Sequence, residues 1–358
     1  MNGVEARNGA GRRRKRVTLQ QVADAAGVSR SAASFAMTGR DDQRIAKATV
    51  ERVRRVAREL GYRPNQTAKT LRTGMSGTIG LISDFIGTTS RANAMVRGAM
   101  EALQQQGMLL FTVDTQGDAV AERKAIRSLV DRQVDGIIYA SMFTREVELP
   151  ESLDGVPLAL LNCMDPKRSD VPSVIPDECS AGYHAAAMLI EAGHRDRIVF
   201  AGVFPEGVTG GSNWHFWKPW ALQQRLSGIE RALGEVGGRL LGHLDSDAWE
   251  VESGRRLACE LMETESPSAV ICVNDAVAFG MAQVFRDRGV RVPEDISMVG
   301  FDGSEWSEVS EPRLATIGLP HVDMGRLAVS LLLEGDASGV HMVDMPVVRG
   351  ESVASPAV

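Results

Sequence analysis

Short polar residues follow several apolar runs of the sequence, and their positions are the first sign of binding chemistry. The runs end in Ser83-Asp84, Asp114, Asn162, Asn274-Asp275 and Asp302. In open parallel sheets, ligands bind at the carboxyl ends of the strands, where such side chains offer hydrogen bonds to a small molecule. We therefore expect these residues to line a cleft. The alternative is that each Asp or Asn ends a strand and caps the next helix.

Motifs for catalysis and for metal binding are missing from the sequence. There is no GxSxG, no HExxH, no phosphate-binding loop with its Lys, and no recognisable nucleophile–base pair. The 4 cysteines lie far apart without a CxxC pair, and the 6 histidines have no ligand spacing. We therefore predict that the protein is not an enzyme and has no cofactor, no structural zinc and no disulfide framework.

The net charge of −6 hides an uneven distribution of charged residues along the chain. Residues 1–76 contain 17 Lys and Arg against 6 Asp and Glu, whereas the remaining residues contain 23 against 40. A basic module attached to an acidic body favours nucleic acid as the partner. The sequence has no apolar run long enough to cross a membrane, and its basic N-terminus lacks the apolar segment of a secretory signal. We therefore expect no membrane contact and a cytoplasmic, nucleoid-associated protein.

Residues 17–62 show the pattern of three short helices. Thr18 is placed to cap a first helix with apolar residues at helical spacing, and Gly27 is placed to end it. Ser29 is placed to cap a second short helix, and a third helix follows. Two short helices joined by a tight turn that contains glycine are typical of a helix-turn-helix motif.

From Thr78 onward, apolar runs alternate with amphipathic helical segments. The runs are TIGLIS, MLLFTV, VDGIIYA, PLALLN, RIVFAGV, AVICVN and ISMVGF. This alternation predicts right-handed βαβ units and parallel strands covered on both faces. About 280 residues exceed one comfortable core, so we expect two lobes. The predicted fold class is α/β, with an N-terminal all-α helix-turn-helix domain and a two-lobed body that contains parallel sheets.

The order of these features resembles the LacI/GalR (lactose-repressor) family of transcription regulators. The resemblance rests on VTLQQVADAAGVSRSAASFAMTG, on a third helix that ends in GYRPN, on a hinge segment with a leucine, and on IGLI at the start of the body. Later segments fit as well, including EAGHRDRIVFAG, AVICVNDAVAFGMAQVFRDRGVRVPEDISMVGFDG and EPRLATI. The family implies a body like that of periplasmic binding proteins.

These features divide the chain into four segments. We expect a disordered basic tail at 1–16, a helix-turn-helix DNA-binding domain at 17–62, a hinge at 63–77, and a body for effector binding and dimerisation at 78–358. Within the body, the first lobe is expected to comprise about 78–176 and 304–320, and the second about 177–303 and 321–358. Each lobe is thus expected to combine two separate pieces of chain.

The resemblance implies a DNA-binding surface on the second helix and the hinge. In the family the second helix lies in the major groove, which here places Ser29, Arg30 and Ser31 at base edges. Arg30 is suited to guanine O6 and N7, while the hydroxyls of Thr18 and Ser29 are placed for phosphates. The hinge leucine corresponds to Leu71, which wedges into the minor groove beside a second hinge, so a homodimer and a pseudo-palindromic operator are implied. The remaining implied DNA contacts are Asn65 and Ala68.

The chain departs from the family at two positions in this domain. Phe35 stands where the family usually has an Arg, and it either contacts a thymine methyl group or packs inward. Ala46 stands where a Ser or Thr normally caps the third helix, and its loss of that cap costs the helix about 1 kcal/mol. Two alternatives also stay open outside the helices. Leu71 either enters DNA or packs under the body, and the tail Arg12–Arg16 either contacts phosphates or is solvated.

For the effector site, the resemblance implies six cleft residues, namely Asp84, Asn162, Arg225, Trp249, Asn274 and Asp302. Carboxylates and amides bind vicinal hydroxyls, an Arg anchors a polar oxygen, and an aromatic face stacks on a sugar ring or a base. Together these groups imply a small, polar, sugar-like effector. The segment Gly87–Arg91 and the pair Asn162-Cys163 depart from the ligand contacts usual in the family, so the alternative is an atypical effector or none.

The predicted function is sequence-specific transcription repression by a dimer under the allosteric control of a small metabolite. One alternative is a DNA-binding regulator that responds to a protein partner or to no ligand. A solute-binding protein is disfavoured because the sequence has a helix-turn-helix and no signal. The Gly-rich segment 207–220 contains three of the 5 tryptophans. It is either a packed insertion or dimer contact, or a lid over the cleft with Trp217 and Lys218.

Overall fold

The structure, a computed structural model, describes residues 17–38, 45–63, 70, 73–88, 92–203, 220–246, 248–264 and 266–356. The chain divides into two units, Met1–Ser76 and Gly77–Val358. The division falls one residue before the boundary that the sequence predicts between hinge and body. The predicted basic tail, most of the hinge, and the Trp-rich segment up to residue 219 lie outside the described residues.

The described ranges of the first unit include the helices α1 (Leu19–Ala26), α2 (Arg30–Thr38) and α3 (Lys47–Glu59). The three helices share a small core made of alanine and valine side chains. Its buried members are Val22, Ala23, Ala26, Ala33, Ala36, Val53 and Ala57. The Nε of Arg54 on α3 donates to the carbonyl of Ala36 at 3.1 Å, which ties α3 to the end of α2.

The ends of these helices follow the capping residues that the sequence indicates. The Thr18 hydroxyl accepts from the Gln21 amide at 3.3 Å, while the Gln21 side chain accepts from the Thr18 amide at 2.9 Å. Gly27 ends α1 with a φ of 65°. The Ser29 hydroxyl accepts from the Ala32 amide at 3.1 Å at the start of α2. Ala46 precedes α3 and provides no side-chain cap, as its type predicts.

The second unit begins with a parallel sheet of 6 strands that forms the first lobe. Its strands are β1 (Thr78–Ser83), β2 (Leu109–Asp114), β3 (Gly136–Glu146), β4 (Leu158–Met164), β5 (Ser173–Pro176) and β11 (Val340–Val343). They lie in the order β11-β5-β4-β3-β1-β2. The helices of this lobe are α4 (Asn93–Gln105), α5 (Ala119–Asp131) and α11 (His321–Glu334), and two short 3-10 helices lie at Ile86–Thr88 and Glu151–Leu153.

The second lobe repeats this strand order. Its strands are β6 (Ile198–Val203), β7 (Leu240–Asp245), β8 (Ala269–Cys272), β9 (Ser297–Asp302), β10 (Ala315–Gly318) and β12 (Val347–Val348). They lie in the order β12-β10-β9-β8-β6-β7, and β12 is antiparallel to β10. Its helices are α6 (Glu178–Ala192), α7 (Trp220–Glu235), α8 (Val251–Thr264), α9 (Asp275–Asp287) and α10 (Glu305–Val309). The predicted fold class is therefore correct.

The predicted division of the C-terminal part between the lobes is wrong. Residues 304–320 belong to the second lobe, because β10 pairs with β9 in register Ala315 to Val299. Residues 321–343 belong to the first lobe, because α11 joins its core and β11 pairs with β5. The chain therefore crosses between the lobes three times. Strands and helices alternate in the same way in both lobes, so the sequence pattern does not reveal which sheet a strand joins.

Three pairs of helices approach each other closely enough for backbone contact. The pairs are α4 with α11, α6 with α7, and α8 with α9. Each pair places one glycine of each helix against the other helix, and a Cβ added to any of these glycines would lie 2.0–2.1 Å from a carbonyl oxygen of the partner. The six glycines are Gly98, Gly325, Gly182, Gly228, Gly254 and Gly280. Only glycine permits this separation, since an ordinary contact needs more than 3 Å.

Candidate functional site

The second helix of the first unit presents an exposed, polar N-terminal end. Ser29, Arg30 and Ser31 are all exposed there. Partial burial raises the pKa of Tyr62, and the nearby positive charge of Arg30 lowers it by a smaller amount. Phe35 is 44% exposed on the same helix, so it does not pack into the core as one of the two alternatives requires. This end of α2 therefore carries the donors and the apolar group that a base-reading surface needs.

The other predicted DNA-binding residues are only partly covered by the structure. Thr18 is exposed, and its hydroxyl lies at the N-terminus of α1, where it caps the helix. Asn65, Ala68, Leu71 and the tail Arg12–Arg16 lie outside the described residues. The alternatives for Leu71 and for the tail therefore stay as the sequence leaves them.

A cavity of about 470 Å³ lies in the second unit, at the carboxyl ends of the strands of both sheets. Five of the six predicted cleft residues line it, and they come from both lobes. They are Asn162, Arg225, Trp249, Asn274 and Asp302. The cavity also brings together groups that sequence reasoning did not single out: Phe85, Phe143, Glu178, Glu250, Trp306 and His321.

Asp84 is the predicted cleft residue that does not line the cavity. Its carboxylate is 7% exposed and turns into its own lobe, where it accepts from the Ser141 hydroxyl at 2.9 Å and from the Met142 amide at 2.8 Å. The guanidinium of Arg145 lies 3.3 Å from the same carboxylate. Asp84 therefore holds the middle of β3 in place, and contrary to the prediction it does not line this cavity.

Asn162 lines the cavity, but its amide group is bonded to β3. Its Nδ2 donates to the carbonyls of Ser141 and Met142 at 3.0 Å each, and its Oδ1 accepts from the Thr144 hydroxyl at 2.6 Å. These bonds lie where the β3–β4 register shifts between Ala140 and Arg145. Asn162 therefore shapes the wall of the cavity by holding an irregular strand.

Arg225 is joined to Glu178, which sequence reasoning missed. Glu178 is 2% exposed, and its two carboxylate oxygens accept from Nε and Nη2 of Arg225. Nη1 of the arginine donates to the Val273 carbonyl at 2.8 Å. Burial alone lowers the pKa of a guanidinium, but the charge and hydrogen bonds of Glu178, followed by the charge of Asp302, raise the pKa of Arg225. The cavity wall therefore contains a buried, bidentate ion pair.

Trp249 and Asn274 are tied to each other and to the second sheet. The indole Nε1 of Trp249 donates to the Gly202 carbonyl at 2.8 Å. Nδ2 of Asn274 donates to the Trp249 carbonyl at 3.0 Å, and its Oδ1 accepts from the Val277 amide at 2.9 Å. Asn274 thus caps α9. This agrees with the alternative in which a polar residue at a strand end caps the next helix.

Aromatic rings from both lobes meet at the cavity. Phe143 of the first lobe and Trp249 of the second lie edge to face, with centroids 5.8 Å apart and planes at 87°. Trp306 of the second lobe also lines the cavity, with its ring 4.9 Å from that of Phe279. The rings give the cavity flat apolar walls beside its carboxylates.

The described residues give no sign of metal binding or of a membrane span. No group of three or more His, Cys, Asp or Glu side chains within these ranges is placed to hold a metal ion. No helix in the same parts of the chain has the length and apolar character needed to cross a bilayer. All 4 cysteines are free thiols.

Comparisons with known proteins cover almost the whole chain. Residues 18–65 match the bacterial regulatory proteins of the lacI family, and residues 88–341 match the periplasmic binding proteins and sugar binding domain of the LacI family. The HTH-type transcriptional repressor PurR of Vibrio atlanticus (strain LGP32) is 30% identical over 326 residues, which are 88% of this chain and 91% of that protein. The ribose operon repressor of Haemophilus influenzae is also 30% identical, over 327 residues with the same coverage.

Two solved structures show how far the similarity of fold extends. The Lac repressor dimer bound to operator and the anti-inducer ONPF has a TM-score of 0.76 at 24% identity, covering 95% of this chain and 100% of that one. The complex of the transcriptional regulator CelR with cellobiose has a TM-score of 0.62 at 27% identity, covering 94% and 100%. The helix-turn-helix, the two-lobed body and these matches lead to one conclusion: the chain belongs to the LacI family and is a DNA-binding transcription regulator, not an enzyme.

Proposed function

We propose that the protein is a transcription repressor that binds a pseudo-palindromic operator as a homodimer and changes its DNA affinity when a small polar effector occupies the cavity. One observation carries the proposal. The same chain contains a helix-turn-helix with an exposed basic end and a cavity of about 470 Å³ lined by ionic and aromatic groups. Binding to chromosomal DNA places its action in the cytoplasm, at the nucleoid.

The DNA-binding part of the proposal assigns a role to each residue of the surface. Arg30 reads a guanine with two hydrogen bonds, Ser31 contacts a base edge, and Phe35 contacts a thymine methyl. The hydroxyls of Thr18 and Ser29 bind phosphates next to helix N-termini. The hinge residues Asn65, Ala68 and Leu71 contact the minor groove between the half-sites, and Leu71 inserts at the central step.

The effector part is supported by the lobes and by the relatives. A ligand in a cavity with walls from two lobes contacts both, so it stabilises the arrangement of lobes that it fits. Relatives with 30% identity include the transcriptional repressor PurR and a ribose operon repressor. The solved complex of CelR with cellobiose, which is 27% identical and covers 94% of this chain, favours a sugar-like effector.

Selection of DNA sequences by the purified full-length protein tests the proposal. Fragmented genomic DNA is incubated with the protein at about 0.15 M salt, which suppresses binding driven by phosphates alone. We expect recovery of one pseudo-palindrome of roughly 14–20 base pairs, the span of two half-sites read by a dimer. Recovery of an asymmetric site, or of no enriched site with and without added sugars, would contradict the proposal.

A further inference from the structure

We infer that the cavity selects an uncharged, hydroxyl-rich ligand, a saccharide, and rejects its phosphorylated or carboxylated form. The inference rests on the proposed function in one respect, namely that this cavity is the effector site. It concerns the charge of the ligand, which follows from the groups on the walls.

The ionic side chains that line the cavity are mainly acidic. Glu178, Glu250 and Asp302 contribute carboxylates, whereas Arg225 and His321 are the basic side chains on the wall in the described part of the chain. Within that part, no lysine lines the cavity. An anionic ligand would therefore enter a space in which carboxylates outnumber the permanently charged cations, and like charges disfavour it.

The one arginine on the wall is already neutralised by a buried carboxylate. Three of its hydrogen-bond donors are bonded to protein: Nε and Nη2 to Glu178, and Nη1 to the Val273 carbonyl. The ring of Phe301 lies 4.3 Å from the guanidinium carbon of Arg225. If a phosphate took the arginine, it would leave Glu178 as an uncompensated buried charge, which is strongly unfavourable. The charge of Arg225 is therefore already balanced by Glu178, so the arginine offers an anionic ligand no uncompensated positive charge.

Two of the helix N-termini at the cavity are also occupied by carboxylates of the chain itself. The N-terminus of a helix normally attracts anions through its free amides and its dipole. Here α6 begins with Glu178, and α9 begins with Asp275. Asp275 is completely buried and accepts from the Ser304 amide at 2.7 Å and from the Thr316 hydroxyl at 2.6 Å. These two helix ends thus have their own negative charge and do not need one from a ligand.

The remaining wall groups fit the two faces of a sugar ring. The carboxylate oxygens of Asp302 and Glu250 accept hydrogen bonds, so the ligand groups that suit this wall are donors such as hydroxyls, and not the ionised oxygens of a phosphate or a carboxylate. Trp249 and Phe143 offer aromatic surface for the apolar face of a ring. The bond from Trp249 Nε1 to the Gly202 carbonyl fixes the indole in place before a ligand arrives.

Calorimetric titration of the full-length protein with matched sugars tests the inference. Each uncharged sugar of a panel that includes cellobiose and ribose is compared with its phosphorylated and its carboxylated counterpart. We expect at least one uncharged sugar to bind, and its anionic counterparts to bind about tenfold more weakly or worse. Equal or tighter binding of the anionic member would overturn the inference, as would the failure of every sugar of the panel to bind.

The outcomes also separate this inference from the proposed function. A protein that selects an operator but binds no sugar of the panel remains a DNA-binding regulator, and only the ligand inference fails. A protein that prefers the uncharged sugars but selects no DNA keeps the ligand inference, and the proposed function fails.

Variants of the wall test its physical cause. Glu178→Gln frees Arg225 from its partner, so we expect the phosphorylated sugar to gain about tenfold relative to the uncharged one. Glu191→Gln at the other end of α6 removes an exposed ion pair with Arg349, 3.0 Å long, and should leave that ratio unchanged. Asp302→Asn removes a partly exposed carboxylate and should shift the ratio in the same direction even if Glu178→Gln does not fold. Wild-type ratios in the folded wall variants would overturn the inference.

Discussion

Asn162 and Asp302 occupy equivalent positions in the two lobes. Each ends or nearly ends the fourth strand of its lobe along the chain, and each lines the cavity. Both have a positive φ, 59° for Asn162 and 103° for Asp302. A side chain with a Cβ rarely adopts this backbone, at a cost of order 1–3 kcal/mol, so each lobe places one strained backbone position on the cavity wall. The other two non-glycine residues with a positive φ in the described ranges, Gln116 and Gln133, do not line the cavity.

The first prediction concerns the stability that Asn162 provides. Asn162→Ala removes the donors to the Ser141 and Met142 carbonyls and the acceptor for Thr144, and it leaves alanine with a left-handed backbone. We expect the free energy of unfolding to fall by about 2–4 kcal/mol in urea denaturation. Gln104→Ala, at an exposed position of α4, should change it by no more than about 0.5 kcal/mol. A similar small change for Asn162→Ala would disprove the assigned role.

A second prediction compares two glycines of the same helix, α7. Gly228→Ala places a Cβ 2.0 Å from the Cys179 carbonyl oxygen of α6, so the two helices must separate. We expect a loss of about 3 kcal/mol or more in the free energy of unfolding. Gly234→Ala meets no atom within 4 Å and should stabilise the helix by about 0.5–1 kcal/mol. Thermal unfolding of both variants tests this prediction. If only the helix propensity of alanine mattered, both substitutions would raise the free energy of unfolding.

A third prediction concerns base recognition by α2. Arg30→Ala should cost about 1–3 kcal/mol of operator affinity and relax the preference at one symmetric position in each half-site. Arg55→Ala on α3 removes an exposed arginine 3.8 Å from Glu59 and should leave the base preference intact. The measurement is DNA selection followed by titration with single-base operator variants. An unchanged preference for Arg30→Ala would mean that α2 is docked differently.

A fourth prediction concerns the hinge. Leu71→Ala should weaken binding to the operator while leaving binding to non-operator DNA unchanged, because only the specific complex contains the bent minor groove. Fluorescence anisotropy with operator and scrambled duplexes at the same salt concentration measures both affinities. If both fall together, Leu71 supports the fold of the body and does not enter the DNA.

A fifth prediction concerns the pH dependence of stability. His194 is buried, with its Nδ1 2.8 Å from the Ser268 hydroxyl and its Nε2 2.9 Å from the Ala354 carbonyl. Burial lowers the pKa of His194 below the ordinary 6.5, more than the bond to Ala354 raises it. Because the unfolded chain binds the proton more readily, this stability is present above about pH 6.5 and is lost as the pH falls through the folded pKa.

Urea denaturation between about pH 7.5 and pH 5 tests this sign. His194→Gln should reduce the loss of unfolding free energy on acidification, whereas His243→Gln, at an exposed position of β7, should retain it. An identical pH dependence in wild type and His194→Gln would assign the acid sensitivity to other groups.

The fold could be predicted where strands are long or wholly apolar. All seven apolar runs of the sequence contain strands, and β1 and β4 are buried along nearly their whole length. The missed strands have weaker signals. Of these, β5 and β10 have only 4 residues each, and β7 alternates exposed and buried positions. Short strands at a lobe crossing also look the same in either sheet, which explains the wrong placement of 304–320.

The cavity could be predicted from the rule that ligands bind at the carboxyl ends of parallel strands, but the Glu178–Arg225 ion pair could not. The rule placed Asn162 and Asp302 on the cavity wall because Asn162 lies near the end of β4 and Asp302 ends β9, two strands that the sequence reveals. Glu178 escaped because it follows β5, the four-residue strand SVIP. The signal that could have found it is the Asp177-Glu178 pair at the start of a long apolar helix. Asp84 shows where the rule fails. It also follows a strand, but its carboxylate accepts a hydrogen bond from Ser141 within its own lobe and does not face the cavity.

The three crossings between the lobes determine the order in which the protein completes its fold during synthesis. The first sheet needs the pairing of residues 173–176 with 340–343, and the second needs Ser352, whose hydroxyl donates to the Met298 carbonyl at 2.6 Å and accepts from the Ala315 amide at 2.8 Å. Contacts over such long stretches of chain form slowly, because a large loop must close first. Neither lobe is therefore finished until nearly all of the chain has left the ribosome, so both lobes finish folding late and close together in time.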